Sequence, residues 1–112
     1  MVTKTITEQR ADVHIFAGND PAHTATGVSG ITSATPALTP LMLDDSSGRL
    51  IVWDGQKAGT AVGVLTLPLT GTESVLTFYK TGTFATDALC WPDDVNEVVK
   101  SGAFVGSAIS HA

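Results

Sequence analysis

Cysteine is almost absent from this 112-residue chain, and Cys90 stands alone. A single thiol excludes an intrachain disulfide and a thiolate metal cage, and its expected place is as a small buried hydrophobe. Basic residues are also few: six Lys and Arg, scattered, against eleven Asp and Glu, for a net charge of -5. Binding to phosphate backbones needs clustered cations, so no nucleic acid is expected as a partner. No apolar run approaches the roughly 20 residues that cross a bilayer, and the opening MVTKTITEQRADV has no apolar signal-peptide core. The expectation is a soluble protein made in the cytoplasm, with no membrane partner.

Charge of either sign is scarce too, at 15% of residues. A small surface bounded only by water carries about 25–35%. Part of this surface is therefore expected to be covered. One domain of this length buries roughly 60–70% of its unfolded surface, which leaves it marginal and makes self-association unsurprising.

What is present reads mainly as β-structure with a small helical element, an α+β composition. In VTKTIT, Val2, Lys4 and Ile6 fall on one side of an extended chain and Thr3, Thr5 and Thr7 on the other. ADVHIF repeats the alternation, with Val13 and Ile15 opposite His14 and Phe16. This segment has no hairpin partner beside it, so it reads either as a strand or as an arm that pairs with an edge elsewhere. Residues 17–40, punctuated by Gly18, Pro21, Gly27, Gly30, Pro36 and Pro40, read as irregular. Four strands are expected next, in LTPLMLDD, RLIVWD, TAVGVLTLPL and SVLTFYK, with turns at Asp45–Gly48, Asp54–Gly55, Gly71 and Gly82. Val62 to Leu67 is apolar without alternation, as in a strand buried on both faces, and Gly63 inside it suits a close backbone approach or a bulge. WPDDVNEVVKSGAF predicts a helix of about nine residues opening near Pro92, Asp93 and Asp94, and AFVGSAIS a final strand.

Chemistry-bearing groups are thin. Asp20 and His23 have i, i+3 spacing, but Pro21 and nearby glycines disfavour the helix that would use it, and an Asx-type turn is the simpler account. A zinc site lacks further ligands, because His14 and His111 are terminal and Cys90 is isolated. The Ser pair of DDSSG sits in a turn rather than a nucleophile elbow. Asp87, Asp93 and Asp94 lack calcium-loop spacing. Trp53, Trp91, Phe78, Tyr79 and Phe84 are expected in the core or at a subunit contact. No nucleophile, base and oxyanion donor assemble, so no enzyme, cofactor or metal is expected.

Ordered strings carry more information than these patterns. DPAHTAT, TPLMLD, VWDG, AVGVL, LTFYKTGTF, WP and AFVGSAIS run through nearly the whole chain. Together they resemble the head decoration proteins of lambda-like phages. The resemblance implies a homotrimer on the outer surface of the virion, at three-fold and quasi-three-fold positions of the expanded head. Its partner is the major capsid protein, and its role is to hold the shell against internal DNA pressure. It also implies a compact β-clip-like fold with a flexible N-terminal arm that pairs with capsid strands, and no catalytic residue or cofactor. Carried onto this chain, the arm is residues 1–16, with Val2, Thr3, Lys4, Thr5, Ile6, Thr7, Val13, Ile15 and Phe16 as capsid-binding residues. The decoration domain is residues 17–112, and Asp20, Pro21 and His23 stand at the junction of arm and body. The competing readings are a generic β interaction module and a small hydrolase using Asp20 and His23.

Overall fold

Short β-branched and apolar runs separated by Gly, Pro and Asp turns favour a folded-over antiparallel sheet. The computed structural model describes residues 15–17 and 21–112. Among the described residues seven strands appear: β1 (Thr24–Val28), β2 (Pro40–Leu43), β3 (Leu50–Val52), β4 (Gly63–Leu65), β5 (Val75–Tyr79), β6 (Thr81–Phe84) and β7 (Ala108–His111). A 3-10 turn at Thr86–Ala88 and the helix α1 (Glu97–Ser101) lie between the last two. The first five strands form one antiparallel sheet in the order β1-β5-β4-β2-β3. Just past β1, Ser29 bridges to Leu50, and the Gly30 N–H donates to the Leu50 carbonyl at 2.8 Å. The outermost strands therefore meet, and the sheet curls back on itself. β6 and β7 make a second, parallel pair.

β4 sits at the centre of the large sheet, and all three of its residues are buried. Adjacent strand residues face opposite ways, so Val64 joins one apolar cluster and Leu65 the other. The first holds Trp53, Phe84, Leu89, Phe104 and Ile109; the second holds Ile31, Leu41, Leu50, Leu69 and Leu76. Each large side chain buried in this way contributes about 1.5–3 kcal/mol. Double-sided burial was legible as the unbroken apolar run, although it ends sooner than the run does, with Leu67 69% exposed.

Five local expectations are corrected. β1 forms inside the stretch that reads as irregular, because Thr24 to Val28 find β5 as a partner in full five-residue register. Gly82 does not end a strand but lies within β6, at φ +131, where its missing Cβ leaves room for Ala22 and the Phe84 ring. The helix is shorter than expected: Asp94 is left-handed at φ 59, and Asn96 caps the helix by accepting from the Val98 and Val99 N–H groups at 2.8 and 3.4 Å. The final strand starts at Ala108, since Val105 and Ser107 close turns onto the Gly102 and Phe104 carbonyls. Cys90 is exposed rather than buried, its thiol donating to the Ala37 carbonyl at 3.4 Å.

Gly63 tests the packing of β4 directly. A Cβ there would stand 2.5 Å from Phe78 Cδ2 and 3.0 Å from the Tyr79 carbonyl oxygen. Gly63→Ala is expected to destabilise the fold by about 1–3 kcal/mol through overpacking. A urea midpoint unchanged from that of the native sequence would show that the sheet is looser there than described.

Candidate functional site

Ile15 and Phe16 pack against the first core cluster. Phe16 bridges antiparallel to Phe84 of β6, on the edge opposite β7. Two backbone bonds flank that bridge: Ala17 N–H donates to the Thr83 carbonyl at 3.0 Å, and Ala85 N–H to the Ile15 carbonyl at 2.6 Å. The Phe16 ring lies 5.0 Å from the fully buried Phe84 ring and meets Tyr79 edge-on at 5.9 Å. Such pairs add about 0.5–1.5 kcal/mol beyond their area burial.

Pro21 and His23 are fixed nearby through Thr81. The Thr81 hydroxyl donates to the Pro21 carbonyl at 2.9 Å and accepts from the His23 N–H at 2.9 Å. The His23 carbonyl accepts from Lys80 N–H at 2.8 Å, extending the β1–β5 register by one pair. His23 is thus held by its backbone. Its imidazole is exposed and has no hydrogen bond among the described residues. Val2, Thr3, Lys4, Thr5, Ile6, Thr7, Val13 and Asp20 lie outside the described residues. Four of the expected site residues therefore line β6: Pro21 and His23 at its start through Thr81 and Lys80, and Ile15 and Phe16 at its end through Phe84 and Ala85.

Sequence reasoning passed over His111 as a terminal residue. Its Nδ1 lies 2.7 Å from the Thr86 hydroxyl and its Nε2 2.9 Å from the Lys100 carbonyl. The carbonyl can only accept, so Nε2 donates to it, and Nδ1 pairs with the Thr86 hydroxyl. Trp91 packs edge-on to the imidazole at 4.8 Å, and Lys100 Nζ stands 5.3 Å over the Trp91 ring. This knot ties β7 to the last turn of α1 and to the 3-10 turn. Its members come from four separate stretches, so no local signal announced it.

Two carboxylates, Glu73 and Asp44, are committed to loop hydrogen bonds. Glu73 accepts from the N–H groups of Thr70, Gly71 and Thr72 at 3.0–3.2 Å and from the Thr70 hydroxyl at 3.2 Å. The Thr70 N–H first, then the other backbone donors, hold its carboxyl at about 2. Asp44 is lowered by hydrogen bonds from the Ser47 hydroxyl and the Ser46 N–H, so the DDSSG serines serve a turn. No group of three or more potential metal ligands forms among the described residues, and no described helix is long and apolar enough to cross a membrane. The scarcity of charge appears as exposed apolar side chains. Val28 and Val75 face each other across β1 and β5 at 55% and 59% exposure, beside a groove whose lining includes Leu43 and Phe78.

Comparison with known proteins places these features in context. Residues 5–112 match the family described as bacteriophage lambda head decoration protein D. The head decoration protein of Enterobacteria phage P21 is 73% identical over 112 residues, covering 100% of this chain and 97% of that protein. A putative decoration protein of Escherichia phage N15 is 46% identical over 106 residues, covering 94% of this chain and 96% of that protein.

The Glu73 loop has a definite pH signature. Its folded carboxyl, at about 2, lies below the ordinary value of 4.5, so its contribution to stability is complete above about pH 4.5 and is lost as pH falls toward 2. Glu73→Gln is expected to flatten the dependence of the urea midpoint on pH across that window. An unchanged pH slope would mean that the carboxylate is not held by these donors in solution.

Proposed function

The chain belongs to the bacteriophage lambda head decoration protein D family, and from that membership we propose that it is a capsid decoration protein of a phage head. It assembles as a homotrimer on the outer surface of the expanded shell, at three-fold and quasi-three-fold sites, after synthesis in the host cytoplasm. Each trimer bridges neighbouring copies of the major capsid protein. The observation that carries this reading is the 73% identity, end to end, with a phage head decoration protein.

The mechanism is non-covalent. The alternating residues Val2 to Thr7 add a strand to a capsid-protein sheet, where backbone hydrogen bonds supply affinity and alternate side chains supply register. Three arms on one body turn modest single affinities into strong retention, because the second and third docking steps are intramolecular. A decoration protein favours the expanded shell only by binding it better than the compact precursor. The net charge of -5 suits an outward position away from packaged DNA, and exposed Val28, Val75 and Leu43 supply apolar surface for burial between copies or against the shell. Hydrolysis gains no support, since His23 is engaged through its backbone and Ser46 and Ser47 through a turn.

Removing residues 1–14 is expected to leave a folded trimer that no longer sediments with expanded shells. The intact chain is expected to sediment with expanded shells and not with unexpanded ones. Retention of the shortened protein on expanded shells would refute the role of the arm.

A further inference from the structure

We propose that Asp54 is a site of spontaneous covalent modification: in the folded protein its carboxyl carbon is attacked by the Gly55 amide nitrogen, closing a succinimide that water opens to isoaspartate. This chemistry is independent of the capsid reading.

Asp54 lies just past β3, exposed, at the head of the loop that leads to β4. Its Oδ1 accepts from the Gln56 N–H at 3.0 Å, which folds the carboxyl back over the intervening peptide. The N–H of that peptide belongs to Gly55 and donates to no group among the described residues. Gly55 also has no Cβ to crowd the approach, and it sits at φ +73. The other described aspartates lack this combination. The N–H that follows Asp45 is bonded to Asp44 Oδ1 at 3.2 Å, and the one that follows Asp87 is bonded to the Ala85 carbonyl at 3.0 Å. Asp44 is held by the Ser47 hydroxyl at 2.9 Å and is followed by Asp45. Asp93 and Asp94 precede residues that carry side chains, Asp94 and the β-branched Val95.

The step needs no cofactor and no change of oxidation state. The Gly55 nitrogen bonds to Asp54 Cγ, and the hydroxyl of the protonated carboxyl leaves as water with the amide proton. Water then adds to one of the two imide carbonyls. Breaking the bond from nitrogen to Cγ restores aspartate; breaking the bond from nitrogen to the main-chain carbonyl carbon leaves the chain running through Cγ, longer by a methylene, with a free carboxylate on the former carbonyl carbon. The added methylene falls beside Trp53, which is fully buried, its backbone N–H donating to the Pro40 carbonyl at 2.9 Å and its Nε1 to the Thr60 hydroxyl at 2.8 Å. Gly55 is confined as well, since a Cβ there would meet Pro92 and Val95 at 3.3 Å. Lengthening the chain between these two fixed points displaces one of them, and loosens the edge-on contact of Trp53 with Trp91.

The test ages the full-length protein in neutral buffer, folded and in parallel in urea. Peptides from each sample are separated by liquid chromatography, and the new carboxylate is counted by methylation with an isoaspartate methyltransferase and S-adenosylmethionine. Isoaspartate is expected at position 54 and at no other described aspartate, forming in the folded protein at a rate comparable to that in urea, with a red shift of tryptophan emission in the converted fraction. Asp54→Glu, which would have to close a larger ring, is expected to abolish conversion. Asp54→Asn, which keeps the geometry and releases ammonia in place of water, is expected to accelerate it, with circular dichroism confirming that the variant is folded. No conversion in the folded sample, faster conversion at another described aspartate, undiminished conversion in Asp54→Glu, or a folded Asp54→Asn protein that stays unconverted would overturn the proposal. An unchanged emission spectrum after conversion would overturn its stated consequence for Trp53.

Discussion

The strand that runs from Val75 to Phe84 is the constraint on which the rest depends. β5 and β6 are separated by Lys80 alone, so one length of chain belongs first to the five-stranded sheet and then to the small parallel pair. β5 pairs with β1 on one side and β4 on the other. β6 pairs with β7 on one side and Phe16 on the other. The corner between them must turn without losing its hydrogen bonds. Lys80 N–H continues the ladder to His23, and the Thr81 hydroxyl takes up the Pro21 and His23 backbone groups that the bend would leave unpaired. What happens at the root of the N-terminal segment is thus tied directly to the central strands of the body.

The same ribbon explains which parts of the fold were legible. β3 and β5 were announced by dense β-branched and aromatic runs, and the burial of β4 by a run without alternation. β1 was not, because TATGV contains little that distinguishes it from a Thr- and Gly-rich loop; its strand character comes from the five pairs it makes with a partner about fifty residues away. β6 was hidden by Gly82, which reads as a turn locally but fits within a strand because Ala22 and the Phe84 ring crowd the place of a Cβ. α1 was mistaken in length because the acidic pair suited a helix start, whereas Asn96 supplies the actual cap.

The candidate site divides in a similar way. The DPAH stretch invited a catalytic reading on residue type alone, yet the described part of it uses main-chain groups to fasten the start of β1 to the corner. Its proline and histidine are fastened to Thr81 by their main-chain groups. The Phe16 bridge was unreadable in advance, since alternation shows that a segment can be extended but not which edge it meets. The His111 knot was likewise invisible, being made by contacts among four stretches of chain. In both cases long-range packing decides the role of a residue whose neighbours in sequence say little.

The proposed role rests on backbone pairing and apolar contact, in keeping with charged residues at only 15% of the chain. The central claim is that the N-terminal segment becomes a strand on the capsid while its root stays as it is in the free protein. Amide hydrogen exchange of the full chain, free and bound to expanded heads, measures this most directly. The account predicts new protection confined to alternating amides among residues 2–7 on binding, with Ala17 and Ala85 protected in both states. Absence of new protection in residues 2–7 on heads that retain the protein would contradict it.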